Sequence, residues 1–319
     1  MVRQRSAKPL SAGSIPAVAS IFSTPPAFQF SATVLSHGWY LLAPFRWSRQ
    51  SGVLSRPETL SGRTYDLEIR SERGGLSVRG GPQSEAAKAL LRKRLTRMFQ
   101  LDLDTQEFFQ LAASSPEHRW VIEAGFGRLL CGSTPFEDAV KIIATTNTTW
   151  GQTRRMVQLL VEKCGPPAKG GAAGFPSPHD IVRFSQEELQ QDCRLGYRAR
   201  SIHLLATGIV GGSIDLERIG DRSQSTEDLY ESYQSLPGIG PSGAAHLLAM
   251  DGRHDFIAVD SEFRRFVRET YHRGRKTADQ AMLRRYAKWG RWKYLAYWSE
   301  LWNSVADRLQ EQDPKNNGS

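Results

Sequence analysis

The sequence predicts an α+β chain, with a small N-terminal antiparallel sheet domain followed by an all-helical domain. Three observations predict it. Apolar residues alternate at Phe28, Phe30, Ala32 and Val34 and again at Tyr65, Leu67 and Ile69, with Gly62, Gly74 and Gly75 marking turns between strands. After Gly80-Gly81-Pro82 the period changes, and Ala87, Leu90, Leu91, Leu95 and Met98 share one helical face that can cover the sheet. From about Asp104 the spacing is helical almost throughout, over 136–143, 150–164, 198–207, 226–234, 241–250, 261–270 and 292–309. The expected organisation is a disordered tail or misassigned start at 1–26, the sheet plus its helix at 27–102, the helical domain at 103–310, and a disordered tail at 311–319. The Gly-, Pro- and Ala-rich stretch 165–178 reads as a loop.

With 319 residues the chain can bury substantial cores without a metal or a disulfide. Its 42 Lys and Arg against 33 Asp and Glu give a net charge of +9, which suits a polyanionic partner. Cys131, Cys164 and Cys193 are widely spaced and odd in number, so no disulfide framework, metal site or iron–sulfur cluster is expected. No apolar run is long enough to span a bilayer. The expectation is a soluble monomer of the cytoplasm or nucleoid, or of the nucleus or mitochondrion in a eukaryote. The first acidic residue is Glu58, and the start of the chain carries Arg3, Arg5 and Lys8 among Ser, Ala and Pro, so a transit peptide is an alternative to a plain tail.

The segment Leu236-Pro237-Gly238-Ile239-Gly240-Pro241-Ser242-Gly243 lies between two helical patterns. Its glycines allow positive φ and close approach of another backbone, and Pro241 suits the first turn of the next helix. The unpaired amides at that helix start are ready for a phosphate, although an ordinary helix-to-helix turn would look the same. About twenty residues on, the apolar run Ile257-Ala258-Val259 delivers Asp260 to another helix start, where Asp is also a good N-cap.

Leu-Pro-Gly-Ile-Gly followed by Val-Asp at this separation resembles the signature of the helix-hairpin-helix (HhH-GPD) DNA glycosylase superfamily, between its 8-oxoguanine and 3-methyladenine branches. Further segments extend the resemblance. They are 136–150 with Asn147, Gly196-Tyr197-Arg198-Ala199-Arg200, Phe45-Arg46-Trp47, and Trp289-Gly290-Arg291-Trp292 with Ala296. The resemblance implies an α+β glycosylase fold and double-stranded DNA containing a damaged base as partner. It implies no cofactor, with a monovalent cation as an optional guest of the hairpin backbone. Asp260 becomes the catalytic carboxylate, since cleavage of a glycosidic bond builds positive charge on the sugar. Ser242, His246, Met250, Tyr297, Leu301 and Trp298 become the base pocket. Asn147, Leu236, Gly238, Gly240, Ser242 and Gly243 become the DNA contacts.

Two departures bear on chemistry. Bifunctional members carry a nucleophilic Lys where this chain has Ser242, so the resemblance implies a monofunctional, hydrolytic enzyme. Oxoguanine readers carry Ser-Gly-Gln-Ser before Phe-Arg-Trp, where this chain has Leu41-Leu42-Ala43-Pro44, leaving only a backbone carbonyl of Leu42 for the same task. Alkylated purines are the expected substrates, with oxidised purines, or a non-catalytic DNA-binding role, as alternatives. Eleven Lys or Arg between residues 264 and 293 face only Glu269 and Asp279, so either a phosphate-binding surface or a solvated face is expected there.

Overall fold

In the computed structural model, which describes residues 19–219 and 223–311, the sheet has five antiparallel strands in the order β1-β5-β4-β3-β2. They are β1 Ser20–Phe22, β2 Arg46–Ser48, β3 Val53–Leu60, β4 Arg63–Glu72 and β5 Gly75–Arg79. The alternation in β4 sets the register. Leu67 and Ile69 turn inward, and Ile69 pairs with Leu54 on one side and Val78 on the other, all three of them buried. The helices are α1 Phe30–Val34, α2 Glu85–Met98, α3 Gln106–Ala113, α4 Arg119–Ala124, α5 Pro135–Thr145, α6 Trp150–Cys164, α7 Pro178–Ile181, α8 Gln186–Asp192, α9 Arg198–Val210, α10 Leu216–Ile219, α11 Thr226–Gln234, α12 Pro241–Met250, α13 Ser261–Tyr271, α14 Asp279–Arg284 and α15 Lys293–Glu311. Among the described residues no helix is long and apolar enough to cross a membrane.

Ser84 caps α2, whose buried stripe Ala87, Leu91, Leu95 and Met98 is the one its spacing predicts. Two expectations fail near the start. Residues 28–34 are not a strand: a turn leads into α1, which buries Phe30, Thr33 and Val34 at helical spacing. Phe30 meets Phe99 and Trp47, so a tertiary aromatic cluster decides between two periods that five residues cannot distinguish. Residues 20–22, expected within the disordered tail, pair with β5, and Phe22 is buried under the guanidinium of Arg92. Residues 1–18, and with them the transit-peptide alternative, lie outside the described residues, as do 312–319. The loop at 165–178 is confirmed as a loop, its Gly170 amide donating to Asp66 on β4.

A buried ionic cluster joins sheet to helices. Arg56 on β3, 1% exposed, reaches Glu58 at 2.7 Å and Glu137 on α5 at 3.0 Å, and Glu137 also accepts from Lys141 at 2.7 Å. Burial pushes the Glu137 carboxyl up, but the charges and hydrogen bonds of Arg56 and Lys141 outweigh it and hold the group down at about 2. Beside it, Asp138 accepts from Arg97 at 2.8 Å and from the Trp39 indole at 2.9 Å. α5 therefore holds a residue of the N-terminal part in place.

Two other buried groups make stability depend on pH. Burial lowers both His37 and His254 from 6.5 to about 3. Both rings are neutral in the folded chain, whereas the unfolded chain binds a proton on each below 6.5. Their contribution is full above pH 6.5 and declines as the pH falls from there toward 3, by about 1.4 kcal/mol per unit for each ring. Urea unfolding is expected to show a loss of about 2–3 kcal/mol between pH 7.5 and 5.5. A flat profile across that window would contradict neutral burial of the two rings.

Candidate active site

Asp260 is the N-cap of α13, with extended backbone, and its Oδ1 accepts from the Phe263 amide at 2.8 Å. The N-cap reading holds, and it occupies one carboxylate oxygen only. The other oxygen, Oδ2, lies 3.5 Å from His246 Nε2, and the carboxylate side chain remains 34% exposed. Burial alone would raise the pKa of Asp260. The hydrogen bond and charge of His246, together with the amides of Phe263 and Glu262, win and hold it below the ordinary carboxylate value. His246 is itself oriented, because its Nδ1 meets the Tyr294 hydroxyl at 2.8 Å. The contact with Tyr294 turns the ring so that Nε2 points at Asp260, where an Nε2–H can donate to the carboxylate. The chain Tyr294–His246–Asp260 fixes an ionised carboxylate at the edge of a cavity.

That cavity has a volume of about 490 Å³, and Asp260, His246, Met250, Trp298 and Leu301 line it. Of the six residues expected to form the pocket, His246, Met250, Trp298 and Leu301 are there; Ser242 and Tyr297 are not. Tyr297 is 1% exposed and packs edge-on to Phe263 at 5.1 Å and to Tyr286 at 5.8 Å, in the aromatic core behind Asp260. Ser242 donates to the Val259 carbonyl at 3.1 Å, so it braces the segment that leads into Asp260.

Other walls of the cavity carry no motif of their own. Tyr294 and Trp302 belong to α15, where spacing of four from Trp298 could have found them. Tyr294 stacks on Trp298 at 5.7 Å and 12°. His37, Gly38 and Trp39 come from the N-terminal part, and Trp150 opens α6. A Cβ on Gly38 would stand 2.5 Å from the Trp150 ring, so only glycine allows these two walls to close. Leu42, the residue that might have offered a carbonyl to a base, is buried, and its carbonyl accepts from the Phe45 amide at 3.0 Å within a turn. It does not line the cavity.

The hairpin precedes α12, with Gly240 as the N-cap. Gly238 has φ +79, and a Cβ there would strike Ser201. Gly240 has φ −96, so its use is not positive φ but the open space in front of it. Leu236 is buried and can offer a partner only its backbone. Gly243 allows close packing on Ile142 of α5, a scaffold role in place of a contact. Asn147 stands just past α5 in left-handed conformation, φ +46. Its carbonyl and that of Thr146 accept from the Arg198 guanidinium, and its amide donates to Tyr197 Oη at 3.4 Å. Tyr197 is 59% exposed, so its ring is not core.

In the basic run, Arg264 pairs with Asp279, Arg265 with Glu262 and Glu269, Arg285 with Glu117 and Arg291 with Glu107. Four of the eleven basic residues are thus paired with carboxylates of the chain. Cys164 and Cys193 lie 4.0 Å apart as free thiols. Glu117, His118 and Glu300 converge elsewhere, where Tyr271 and Tyr286 already donate to Glu300.

Residues 140–291 match the family model of the HhH-GPD superfamily base excision DNA repair proteins. Over that segment the chain resembles the superfamily, and the fold it adopts is the one found in DNA glycosylases of the helix-hairpin-helix type. Among individual proteins, it is 25% identical over 260 residues to the probable N-glycosylase/DNA lyase of Methanothermobacter thermautotrophicus, covering 74% of this chain and 81% of that one. The fold is shared with the 3-methyladenine DNA glycosylase of Archaeoglobus fulgidus at a TM-score of 0.71, with 23% identity and coverage of 92% of this chain and 97% of that one. It is shared also with the Clostridium acetobutylicum 8-oxoguanine glycosylase/lyase in complex with dsDNA containing cytosine opposite to 8-oxoG, at a TM-score of 0.66, with 16% identity and coverage of 86% and 93%.

Proposed function

We propose that this chain is a monofunctional DNA N-glycosylase that flips a damaged purine, chiefly an alkylated one, into the cavity beside Asp260 and hydrolyses its bond to deoxyribose. The observation that carries this reading is the ionised Asp260 at the edge of an aromatic cavity, with Ser242 at the hairpin position where a nucleophilic amine would stand. Among the described residues that line the cavity none is a lysine.

In the proposed reaction the C1′–N bond breaks and its electron pair leaves with the base. The positive charge left on the sugar faces Asp260, which stabilises it, and water adds at C1′ and gives up a proton. An alkylated purine already carries positive charge, so its departure needs little acid catalysis. The faces of Trp39, Trp150 and Trp298 suit such a cation. No metal or cofactor is assigned a part, because the leaving group brings its own activation. The backbone amides at the start of α12, with Gly240 open before them, are proposed to hold a DNA phosphate, and Asn147 and Tyr197 to meet the strand opposite the lesion.

A panel of duplexes carrying alkylated, oxidised and deaminated bases tests the reading. Alkylated purines such as 3-methyladenine are expected to be released, with strand breaks appearing only after alkali and no covalent adduct trapped by borohydride. A borohydride-trapped adduct would overturn the monofunctional assignment, and exclusive release of an oxidised purine would overturn the alkylpurine assignment.

A further inference from the structure

The cavity holds a polar group that the proposed hydrolysis does not use. His37 is 2% exposed, yet it forms part of the cavity lining. Its Nε2 lies 2.6 Å from the Leu130 carbonyl, which can only accept, so Nε2 carries the ring proton. Nδ1 is then the acceptor end of the ring. Trp39 at 4.9 Å and Trp298 at 6.2 Å both meet the ring edge-on and fix its plane. Burial keeps the ring neutral to about pH 3, so the lone pair persists at any working pH. A ligand that supplies an N–H donor to such a cavity-wall acceptor gains about 0.5–1.5 kcal/mol.

The geometry points to His37 as a specificity-determining residue, an acceptor on the cavity wall that selects purines presenting an N–H donor such as an exocyclic amine. The inference rests on the reading of this cavity as a base pocket. The walls around His37 are aromatic and take any flat ring, so they do not discriminate among bases. His246 is committed between Tyr294 and Asp260. Thr145 and Glu262 also line the cavity, and among the aromatic walls His37 is the acceptor that can tell an amino-bearing ring from one without an amine. The selection acts on binding and adds nothing to the bond-breaking step.

The test uses the full chain and two small probes, 9-methyladenine and 9-methylpurine, which differ by the amino group and share a capped N9. Binding is read by quenching of tryptophan fluorescence, to which Trp39, Trp150 and Trp298 at the cavity contribute. Wild type is expected to bind 9-methyladenine about tenfold more tightly than 9-methylpurine. The His37→Leu variant is expected to lose that preference. His37→Gln, which can still donate to Leu130 and keeps an oxygen acceptor, is expected to restore most of it. Equal binding of the two probes by wild type, no binding of either, or a preference that survives in a folded His37→Leu variant would each overturn the proposal.

Because wild type alone answers the first question, an unstable Leu variant does not block the test. A parallel assay of base release from methylated DNA separates the two readings. Amine-selective binding without any base release removes the glycosylase assignment and leaves this subsite standing. Base release with no amine preference does the reverse.

Discussion

Replacing Asp260 with Asn is expected to leave the chain folded and binding DNA while slowing base release by about 10²–10³-fold, the usual scale for losing one aimed electrostatic group at a developing charge. The substitution isolates charge from structure. Asn is as good an N-cap as Asp, so its side-chain oxygen can still accept from the Phe263 amide that now binds Oδ1. The NH2 that takes the place of Oδ2 is a donor facing His246 Nε2–H, so that contact survives only if the imidazole changes tautomer. What disappears is the negative charge, which the depressed pKa of Asp260 keeps available even below the ordinary carboxylate range. Single-turnover release from a lesion duplex, measured beside DNA binding, checks the expectation. A variant that releases base at the wild-type rate would remove Asp260 from the mechanism. One that neither binds nor folds would assign it the cap alone.

The second large effect concerns stability. Arg56→Met is expected to cost about 3–5 kcal/mol, because it leaves Glu58 and Glu137 buried against each other with the shared cation gone. Arg56 donates to Glu137 through both terminal nitrogens and also to Ser133, so three acceptors lose their partner at once. Lys141 still compensates Glu137, which is why the expected loss is several kcal/mol and not complete unfolding. The midpoint of urea unfolding at pH 7 reads the change. A shift below about 1 kcal/mol would mean that the cluster contributes packing and little electrostatics. Replacing all the charged members with apolar side chains of similar size is the informative companion, since a buried ion pair is often no more stabilising than a good apolar contact.

The helices of the second part were legible because each carries its own signal. The apolar spacing of 150–164 and 226–234 and the hairpin before 241–250 are complete within one element, and the structure places helices at those bounds. β1 and α1 were not legible, because three and five residues are too short to show a period. Their state is decided by β5 and by Phe99, both far along the chain. The site divides in the same way. Asp260, His246 and Met250 follow from a motif and a helical spacing, and the structure brings them together. Tyr297 was misassigned, since sequence gives the helix and not how far it is rotated against α13. His37, Gly38 and Trp39 lie in a short 3₁₀ turn and the residue before it, with no pattern to mark them. Their place at the cavity depends on Asp138 holding Trp39 and Leu130 holding His37.

The walls of the cavity also divide unevenly along the chain. The matched segment 140–291 contains Asp260 and His246, whereas His37, Gly38 and Trp39 precede it and Tyr294, Trp298 and Trp302 follow it. The likeness to the superfamily is written in one stretch of polypeptide and the shape of the receptacle in two others. Such a chain can change its diet without touching its blade: substitutions at either flank remodel what fits, while the hairpin and the carboxylate stay as they are. On the proposed function, likeness judged from the middle of the chain bears on the bond that is cut, and the two flanks bear on which base is offered to it.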